Sequence, residues 1–506
     1  MLHEINGVKI RTSPVDQAYE PRHKGKRWAI VYGDYSGVEK TAINELQRAV
    51  QGLLPYVVIA QRQEDYFNLI QAHYLLAGTP RNNRFIAELI EQKAICAPTG
   101  PQGYTLAGIA SPWEPGGRLL VVAGHDPEGV LYGAQDLISG VMAKSPALEK
   151  ILDFHVSDHP RIERRGIWSW GYVIYDYRRF LDNMSRLKMN TLVVWNDCPP
   201  VNARELVDYA HCRGIRVYWG FHWGWGTDLD LGKSGDIAKI RDTVLRIFAE
   251  QYQPLNPDGI YFQTLTEHHD TTVGGRPLGE LLTNMTNDIA GALLKQTPGL
   301  GIYFGLHATS IEHNYAPLAG LDPRVEIMWE NAGVIPYLYD PVITEKEIAR
   351  RAQMYPRGVD TVEKTVDYSI KLASLRPGNE FAMVAKGWTS IDWPSEFEHH
   401  DSFILGESSR SFVRDRLAKK SDRWKFVNDL WSKNYPVARR FYESVRNSTR
   451  APMAVTGLVE DGMLEEQIPE SVAIFGETLW NPLRSDADIR EAARRRVPSP
   501  GKHPDN

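Results

Sequence analysis

The chain has 506 residues, of which 42% are hydrophobic and 24% charged, which is ordinary for a soluble globular protein of two to four domains. Its net charge of -5 argues against a polyanionic partner, so we expect no nucleic-acid binding. No run approaches ~18 apolar residues, so we expect no membrane-spanning helix and no membrane partner.

The amino terminus and the cysteines indicate in which cellular compartment the protein is expected. The opening residues, "MLHEINGVKIRTSPVDQ", include no apolar segment of the kind found in secretory signals. The three cysteines, Cys96, Cys198 and Cys212, are odd in number and far apart, which argues against a disulfide framework. We therefore expect a cytoplasmic protein, and we leave open whether it forms a homo-oligomer.

The first region is predicted to be a small α/β domain covering residues 1–155. "RWAIVYG" (27–33) is typical of a buried strand, and "VEKTAINELQRAV" after it has the apolar spacing of a helix. "GRLLVVAGHDPEGVLYGAQDLIS" (117–139) then indicates a strand, a turn and a second helix. The polar stretch "DFHVSDHPRIERRG" (153–166) is a plausible junction between domains.

Residues 160–490 alternate apolar strand-like runs with amphipathic helices, which predicts parallel strands joined by right-handed crossovers. Eight runs fit a (β/α)₈ TIM barrel, and residues 491–506 form a tail. The runs are RRGIWSWG, NTLVVWND, IRVYWGFHWGWG, GIYFQTLTE, GIYFGLHA, VEIMWENAG, FAMVAKGW and VAIFGETLW. "MAVTGLVEDGM" (453–463) competes with "VAIFGETLW" (472–480) for the last strand.

Polar and aromatic residues cluster where the predicted strands end, which is where the catalytic groups of such barrels lie. In chain order these residues are Trp168, Trp170, Asn196, Asp197, His222, Trp223, Glu267, His268, His307, Glu330, Lys386, Trp388, Asp392, Glu477 and Trp480. Indole rings stack on the apolar faces of sugars, while carboxylate, amide and imidazole groups bond to sugar hydroxyls. The pattern therefore favours an oligosaccharide or glycoside substrate.

Glycoside hydrolysis requires a protonated carboxylic acid and a second carboxylate. Glu267 is the predicted general acid, because a glutamate flanked by apolar aromatic residues can hold its proton near neutral pH. Glu330 is the predicted second carboxylate, with Asp197, Asp392 and Glu477 as rivals. Asp197 has the alternative role of capping the helix that follows it.

Histidines at strand ends raise a metal-dependent hydrolase as an alternative, since His222, His268 and His307 are of the type that binds Zn²⁺. Such sites usually begin with paired histidines on the first strand, where this chain has "WSW". We therefore expect no metal ion and no cofactor, with the histidines bonding to sugar hydroxyls.

Several segments resemble a group of known glycosidases. "GRLLVVAGHDPEGVLYGAQDLIS" resembles the end of the small α/β domain that precedes the barrel in family 20 hexosaminidases and family 67 α-glucuronidases. "HPRIERRGIWSWG" resembles their entry into the first barrel strand. "FLDNMSRLKMNTLVVWND" and "ARELVDYAHCRGIRVYWG" resemble the next two βα units. The resemblance implies a glycosidase with an accessory α/β domain and a catalytic barrel.

The resemblance also implies roles for individual residues. Glu267 matches the general-acid glutamate at the end of the fourth strand, and Glu330 is the best match to the base carboxylates of the α-glucuronidases. Arg165 matches an arginine by which hexosaminidases grip sugar hydroxyls. Hexosaminidases place an aspartate before the acid, whereas this chain has Thr266, which argues against their substrate-assisted chemistry.

The sequence thus predicts a glycoside hydrolase of α-glucuronidase-like type. A uronic acid substrate would be held by a cation, with Arg165 and Lys386 as candidates. The alternatives are a β-N-acetylhexosaminidase-like enzyme, a metal-dependent barrel hydrolase, and a barrel that binds carbohydrate without catalysis.

Overall fold

The computed structural model describes residues 2–5, 8–11, 25–145, 147–196, 198–224, 227–263, 271–307, 315–330, 362–388, 401–449, 451–459 and 462–497. The chain divides into two compact units, residues 1–159 and residues 160–506.

The first unit is an α/β domain around a six-stranded sheet. Its strands are β1 (Leu2–Ile5), β2 (Val8–Arg11), β3 (Arg27–Tyr32), β4 (Ile59–Arg62), β5 (Ala72–Gly78), β6 (Tyr104–Ala110), β7 (Arg118–Gly124) and β8 (Phe154–Asp158). The sheet has the order β4-β3-β5-β7-β6-β8, and β1 pairs separately with β2. Its helices are α1 (Gly37–Gln51), α2 (Arg84–Glu91) and α3 (Pro127–Asp136). The strands and helices predicted near residues 27–51 and 117–139 are therefore confirmed.

The second unit is a closed barrel of eight parallel strands, which confirms the predicted fold. In barrel order its strands are β9 (Arg164–Trp170), β10 (Thr191–Trp195), β11 (Arg216–Gly220), β12 (Gly259–Gln263), β15 (Gly301–His307), β16 (Val325–Glu330), β17 (Phe381–Trp388) and β18 (Met453–Val459). The short strands β13 (Thr272–Val273) and β14 (Arg276–Pro277) form a hairpin outside it. A Cβ on Gly166 would lie 1.6 Å from the carbonyl oxygen of Thr191, so only glycine fits between β9 and β10 here.

Helices pack around the barrel and bury its outward-facing side chains in one large apolar cluster. They are α4 (Tyr177–Arg186), α5 (Ala203–His211), α6 (Ser234–Ile247), α7 (Leu278–Gln296), α8 (Val362–Ser374), α9 (Arg410–Lys419), α10 (Ser421–Ser448), α11 (Glu470–Trp480) and α12 (Asp486–Arg496). Inward-facing side chains form a second cluster inside the barrel. Tryptophans that face the barrel interior belong to the second cluster, and those that face the helices belong to the first.

The assignment of "VAIFGETLW" to the last strand is wrong, and its competitor "MAVTGLV" forms β18 instead. The run belongs to α11, in which every residue from Ser471 to Trp480 is buried. A helix buried on all sides has no polar face, so its sequence does not differ in periodicity from a buried strand.

A buried ionic cluster at the amino end of the barrel involves three residues that the sequence had suggested for the substrate site. The Glu477 carboxylate lies 2.8 Å from Arg496 Nε and 3.6 Å from Lys188 Nζ. The Arg165 guanidinium donates to the carbonyls of Ile162 and Lys188, and it lies over the ring of Trp480. The structure therefore places Arg165, Glu477 and Trp480 together at the base of the barrel, away from its carboxyl end.

A second polar group closes the barrel interior at the same end. Arg164 Nη1 donates to the hydroxyls of Tyr218 (2.9 Å) and Tyr303 (3.0 Å), and it lies 3.3 Å from Glu380 Oε1. The Tyr303 hydroxyl also donates to Glu380, at 2.6 Å. Burial raises the pKa of Tyr303 well above its ordinary value, so this hydroxyl keeps its proton.

Glu326 lies on β16, next to the strand that carries Tyr303. We predict that this residue makes the stability of the fold depend on pH. Burial, followed by repulsion from Glu380, raises the pKa of Glu326 to about 7. Because the folded pKa is raised, the stability that this carboxyl contributes is present below about pH 4.3 and is lost as pH rises through about 7. We expect Glu326→Gln to gain stability relative to the parent between about pH 5 and about pH 8.5.

Urea unfolding at the two pH values measures this difference. Glu250→Gln is the control, because that carboxylate is exposed in a surface pair with Arg246. An equal pH dependence in the parent and in Glu326→Gln would contradict the prediction.

Candidate active site

Glu330 is a buried carboxyl group that the described structure places at the carboxyl end of the barrel. It is the last residue of β16, where it pairs with His307 on β15 and Val384 on β17. The residue is 2% exposed. Since Trp329 belongs to the outer cluster beneath the helices, the strand alternation turns Glu330 towards the barrel interior.

Two side chains from β12 donate hydrogen bonds to the same oxygen of Glu330. These donors are the hydroxyl of Tyr261 and the side-chain amide of Gln263. Burial, followed by the charge of Glu330 and this hydrogen bond, raises the pKa of Tyr261 well above its ordinary value. Tyr261 therefore remains a donor, and together with Gln263 it fixes the orientation of the Glu330 carboxyl group.

Several aromatic side chains pack around Tyr261, the residue that donates to Glu330. The ring centroids of Trp168 and Trp170 are 4.8 Å apart, and Trp168 stacks with Trp195 at 6.4 Å and 22°. Tyr261 packs edge-on against Trp168 at 5.6 Å and against Trp195 at 5.9 Å. The structure thus places Trp168 and Trp170 near Glu330, with Tyr261 in contact with both Trp168 and Glu330.

Asn196 and His222 also follow barrel strands at this end. Asn196 comes directly after β10 and is 3% exposed, and its side-chain amide donates to the carbonyl of Cys198. That bond turns the amide towards its own loop. His222 lies two residues beyond the end of β11 and is partly buried.

Several predicted site residues lie outside the described part of the chain. Glu267, His268, Asp197 and Asp392 are among these residues, and for His307 and Lys386 only the backbone is described. Their assignments to the site stay predictions. The distance from Glu267 to Glu330 is therefore also outside the described structure.

Two predicted contact residues pack beneath the helices. Trp223 is fully buried and stacks on Phe262, with ring centroids 3.5 Å apart and an interplanar angle of 7°. Trp388 is fully buried and stacks on Trp431 of α10 at 3.5 Å and 15°. Both belong to the outer cluster, so they support the barrel wall and we leave them out of the proposed site.

A buried carboxyl group links the first and last strands at the same end. Glu465, in the loop after β18, is 1% exposed and accepts the N–H of Tyr175, in the loop after β9, at 2.9 Å. Burial raises the pKa of Glu465 to about 8. Glu465 is therefore protonated at neutral pH, and its bond to Tyr175 makes it a structural tie between the two loops.

Sequence reasoning did not single out Tyr261 and Gln263. The signal was present in the alternation of "GIYFQTLTE", since Tyr261 and Gln263 are two residues apart and share one face of the strand. The ionisable residues at 267–270, just beyond this strand, are the stronger signal for a site in the sequence.

The described residues include neither a metal-binding cluster nor a membrane-spanning helix. Among them, no group of three or more His, Cys, Asp or Glu side chains is arranged to hold a metal ion. Of the helices within the described ranges, none has the length and apolar character needed to cross a membrane.

Comparison with known proteins supports the fold. No protein-family profile matches the chain, and no curated protein matches its sequence. The solved structure of a GH138 enzyme targeting pectin rhamnogalacturonan II aligns with a TM-score of 0.53 and 13% identity over 91% of this chain. The alignment covers 65% of the GH138 enzyme, so this chain spans about two thirds of that enzyme's length. At this identity the likeness establishes a shared fold.

Two further solved structures align over most of their length. The β-N-acetylhexosaminidase from Bacteroides fragilis NCTC 9343 is 12% identical, with a TM-score of 0.47 over 94% of this chain and 87% of that chain. CpGH84D is 10% identical, with a TM-score of 0.43 over 93% and 88%. With TM-scores below 0.5, these two likenesses support no conclusion about this chain.

Proposed function

We propose that the protein is a glycoside hydrolase of α-glucuronidase-like type. The observation that carries the proposal is the buried carboxyl group of Glu330, which accepts hydrogen bonds from Tyr261 and Gln263 beside the tryptophans of the barrel interior. Most glycoside hydrolases use two carboxyl groups that flank the scissile bond, and Glu330 is the proposed second one. The GH138 neighbour shares the fold that places these groups at one end of the barrel.

Glu330 takes the role of general base on water, or of nucleophile. Tyr261 acts through Glu330 as a positioning residue, because its hydroxyl donates to one carboxylate oxygen and fixes the orientation of the group. Gln263 reinforces the same orientation. Either role requires the carboxylate form of Glu330.

Glu267 is the proposed general acid that protonates the leaving oxygen. It follows β12, the strand that supplies Tyr261 and Gln263, by four residues. A separation of roughly 5–5.5 Å between the two carboxyl groups would give retention, and roughly 6.5–9.5 Å would give inversion. The resemblance to α-glucuronidases favours inversion.

The proposed substrate carries an acidic sugar. The GH138 neighbour targets pectin rhamnogalacturonan II, a polymer whose name includes galacturonan, and the α-glucuronidase resemblance also points to a uronic acid. Arg165 is engaged at the base of the barrel, so Lys386, at the carboxyl end of β17, is the proposed partner of the sugar carboxylate.

Hydrolysis of 4-nitrophenyl α- and β-glucuronides, with and without EDTA, tests this proposal against the metal-dependent alternative. We expect turnover of a glucuronide that is unchanged by the chelator, because two carboxylates supply the chemistry. Turnover abolished by EDTA and restored by Zn²⁺ would favour the metal-dependent hydrolase instead.

Tyr261→Phe tests the positioning role. The variant keeps the ring packing but removes one of the two hydrogen bonds that orient the Glu330 carboxyl group. We expect kcat to fall about tenfold with KM little changed, because misorienting the carboxylate weakens its stabilisation of the transition state more than it weakens substrate binding. Tyr303→Phe at the other end of the barrel is the matched control. A kcat equal to that of the parent, or a loss confined to KM, would remove Tyr261 from this role.

A further inference from the structure

A cavity of about 530 Å³ opens at the amino end of the barrel. It is lined where strands begin, by Arg164 at the start of β9 and Arg216 at the start of β11, together with Asp258, which precedes β12. Because the strands are parallel, this end is opposite to the one that holds Glu330. The volume is in the range of small-molecule sites, which is about 300–1,000 Å³.

The two arginines have hydrogen-bonding capacity that the described structure leaves unused. All three bonds of the Arg164 guanidinium, to Tyr218, Tyr303 and Glu380, are made by Nη1. Within the described ranges, its Nε and Nη2 have no hydrogen-bond partner, and neither does the guanidinium of the exposed Arg216. Guanidinium groups match the oxygens of a carboxylate or phosphate, and both arginines line this cavity.

Three further polar residues of the cavity bear on anion binding, and one of them, Asp258, is acidic. His211 Nε2 lies 2.7 Å from Asp258 Oδ2, and this hydrogen bond raises the pKa of His211, favouring its charged form. Asp258 Oδ2 also accepts the N–H of Val217, at 2.8 Å, so its charge is already engaged. The buried hydroxyl of Thr297, which lines the same cavity, has no hydrogen-bond partner among the described residues.

We propose that this cavity is a second binding site, separate from the glycosidase site, for a small ligand that carries an oxyanion. Arg164 and Arg216 would bind the oxyanion, and the Thr297 hydroxyl would donate a further hydrogen bond. The shared chemistry is that of a phosphate or a carboxylate group. The proposal does not depend on the proposed glycosidase activity, because binding is measured without turnover.

Isothermal titration of the full chain with inorganic phosphate, and separately with succinate at matched ionic strength, tests the site. We expect saturable binding of at least one, weakened about tenfold or more in Arg216→Gln, since a hydrogen bond to a charged group is lost. Arg204→Gln, on α5 outside the cavity, removes the same charge from an exposed position and should bind like the parent. Binding of phosphate alone would identify a phosphorylated ligand, and binding of succinate alone would identify a carboxylated one.

Thr297→Val provides a second variant that keeps the net charge. It should weaken the same binding without changing the melting temperature of the unliganded protein by more than a few degrees. Lack of saturable binding of both anions by the parent would overturn the proposal. So would binding that is equally strong in the parent, Arg216→Gln and Thr297→Val.

Discussion

Glu330→Gln is expected to lower kcat by about 10²–10⁴, the scale on which a catalytic carboxylate contributes. Glutamine has nearly the same shape and fills the same space between Tyr261 and Gln263, so the barrel interior stays packed. The variant loses the carboxylate charge of the group whose Oε1 accepts both hydrogen bonds. A neutral amide can neither activate water nor attack the sugar carbon.

The measurement is the steady-state hydrolysis of whichever aryl glycoside the parent cleaves best. Glu326→Gln is a matched control, because it makes the same change on the same strand, at the end away from the site. It should keep kcat within about threefold of the parent. Retention of kcat within tenfold in Glu330→Gln would exclude Glu330 as base or nucleophile.

Glu477→Ala is expected to lower the free energy of unfolding by about 3–5 kcal/mol. The side chains of Glu477 and Lys188 are each 1% exposed, and that of Arg496 is 5% exposed. Removing the carboxylate leaves two buried cations without the anion that balances their charge. Breaking a buried pair from one side is costly, because the remaining charge stays desolvated.

Urea unfolding followed by tryptophan fluorescence measures this loss, since most of the tryptophans belong to the barrel unit. Glu250→Ala is the control, because its pair with Arg246 is exposed, with side-chain exposures of 59% and 58%. That pair should contribute at most about 1 kcal/mol. If Glu477→Ala cost no more than the control, the cluster would not be the stabilising feature that its burial implies.

The barrel could be predicted from the sequence because seven of its strands are short apolar runs between amphipathic helices. The eighth was misassigned for a physical reason. "VAIFGETLW" is buried on all sides in α11, so it has neither the two-residue alternation of a half-buried strand nor the polar face of a surface helix. Pro469, three residues before the run and directly before α11, is of the residue type that is common near the start of a helix.

The site was predicted less completely, because the sequence shows which residues end a strand but not which way they face. Trp168 and Trp170 face the interior, whereas Trp223 and Trp388 face the helices. Arg165 and Glu477 have the charges of a sugar site, but they bond to Lys188 and Arg496, which the tertiary fold brings to them.

The glycosidase proposal is tested most directly by hydrolysis of a panel of aryl glycosides, including α- and β-glucuronides and N-acetylhexosaminides, by the parent and by Glu267→Gln. We predict that the parent cleaves a glucuronide and that the variant loses at least ~100-fold of that turnover, as expected for loss of a general acid. Parent turnover that Glu267→Gln retains would contradict the assignment of the acid. No turnover of any glycoside by the parent would contradict the glycosidase proposal itself.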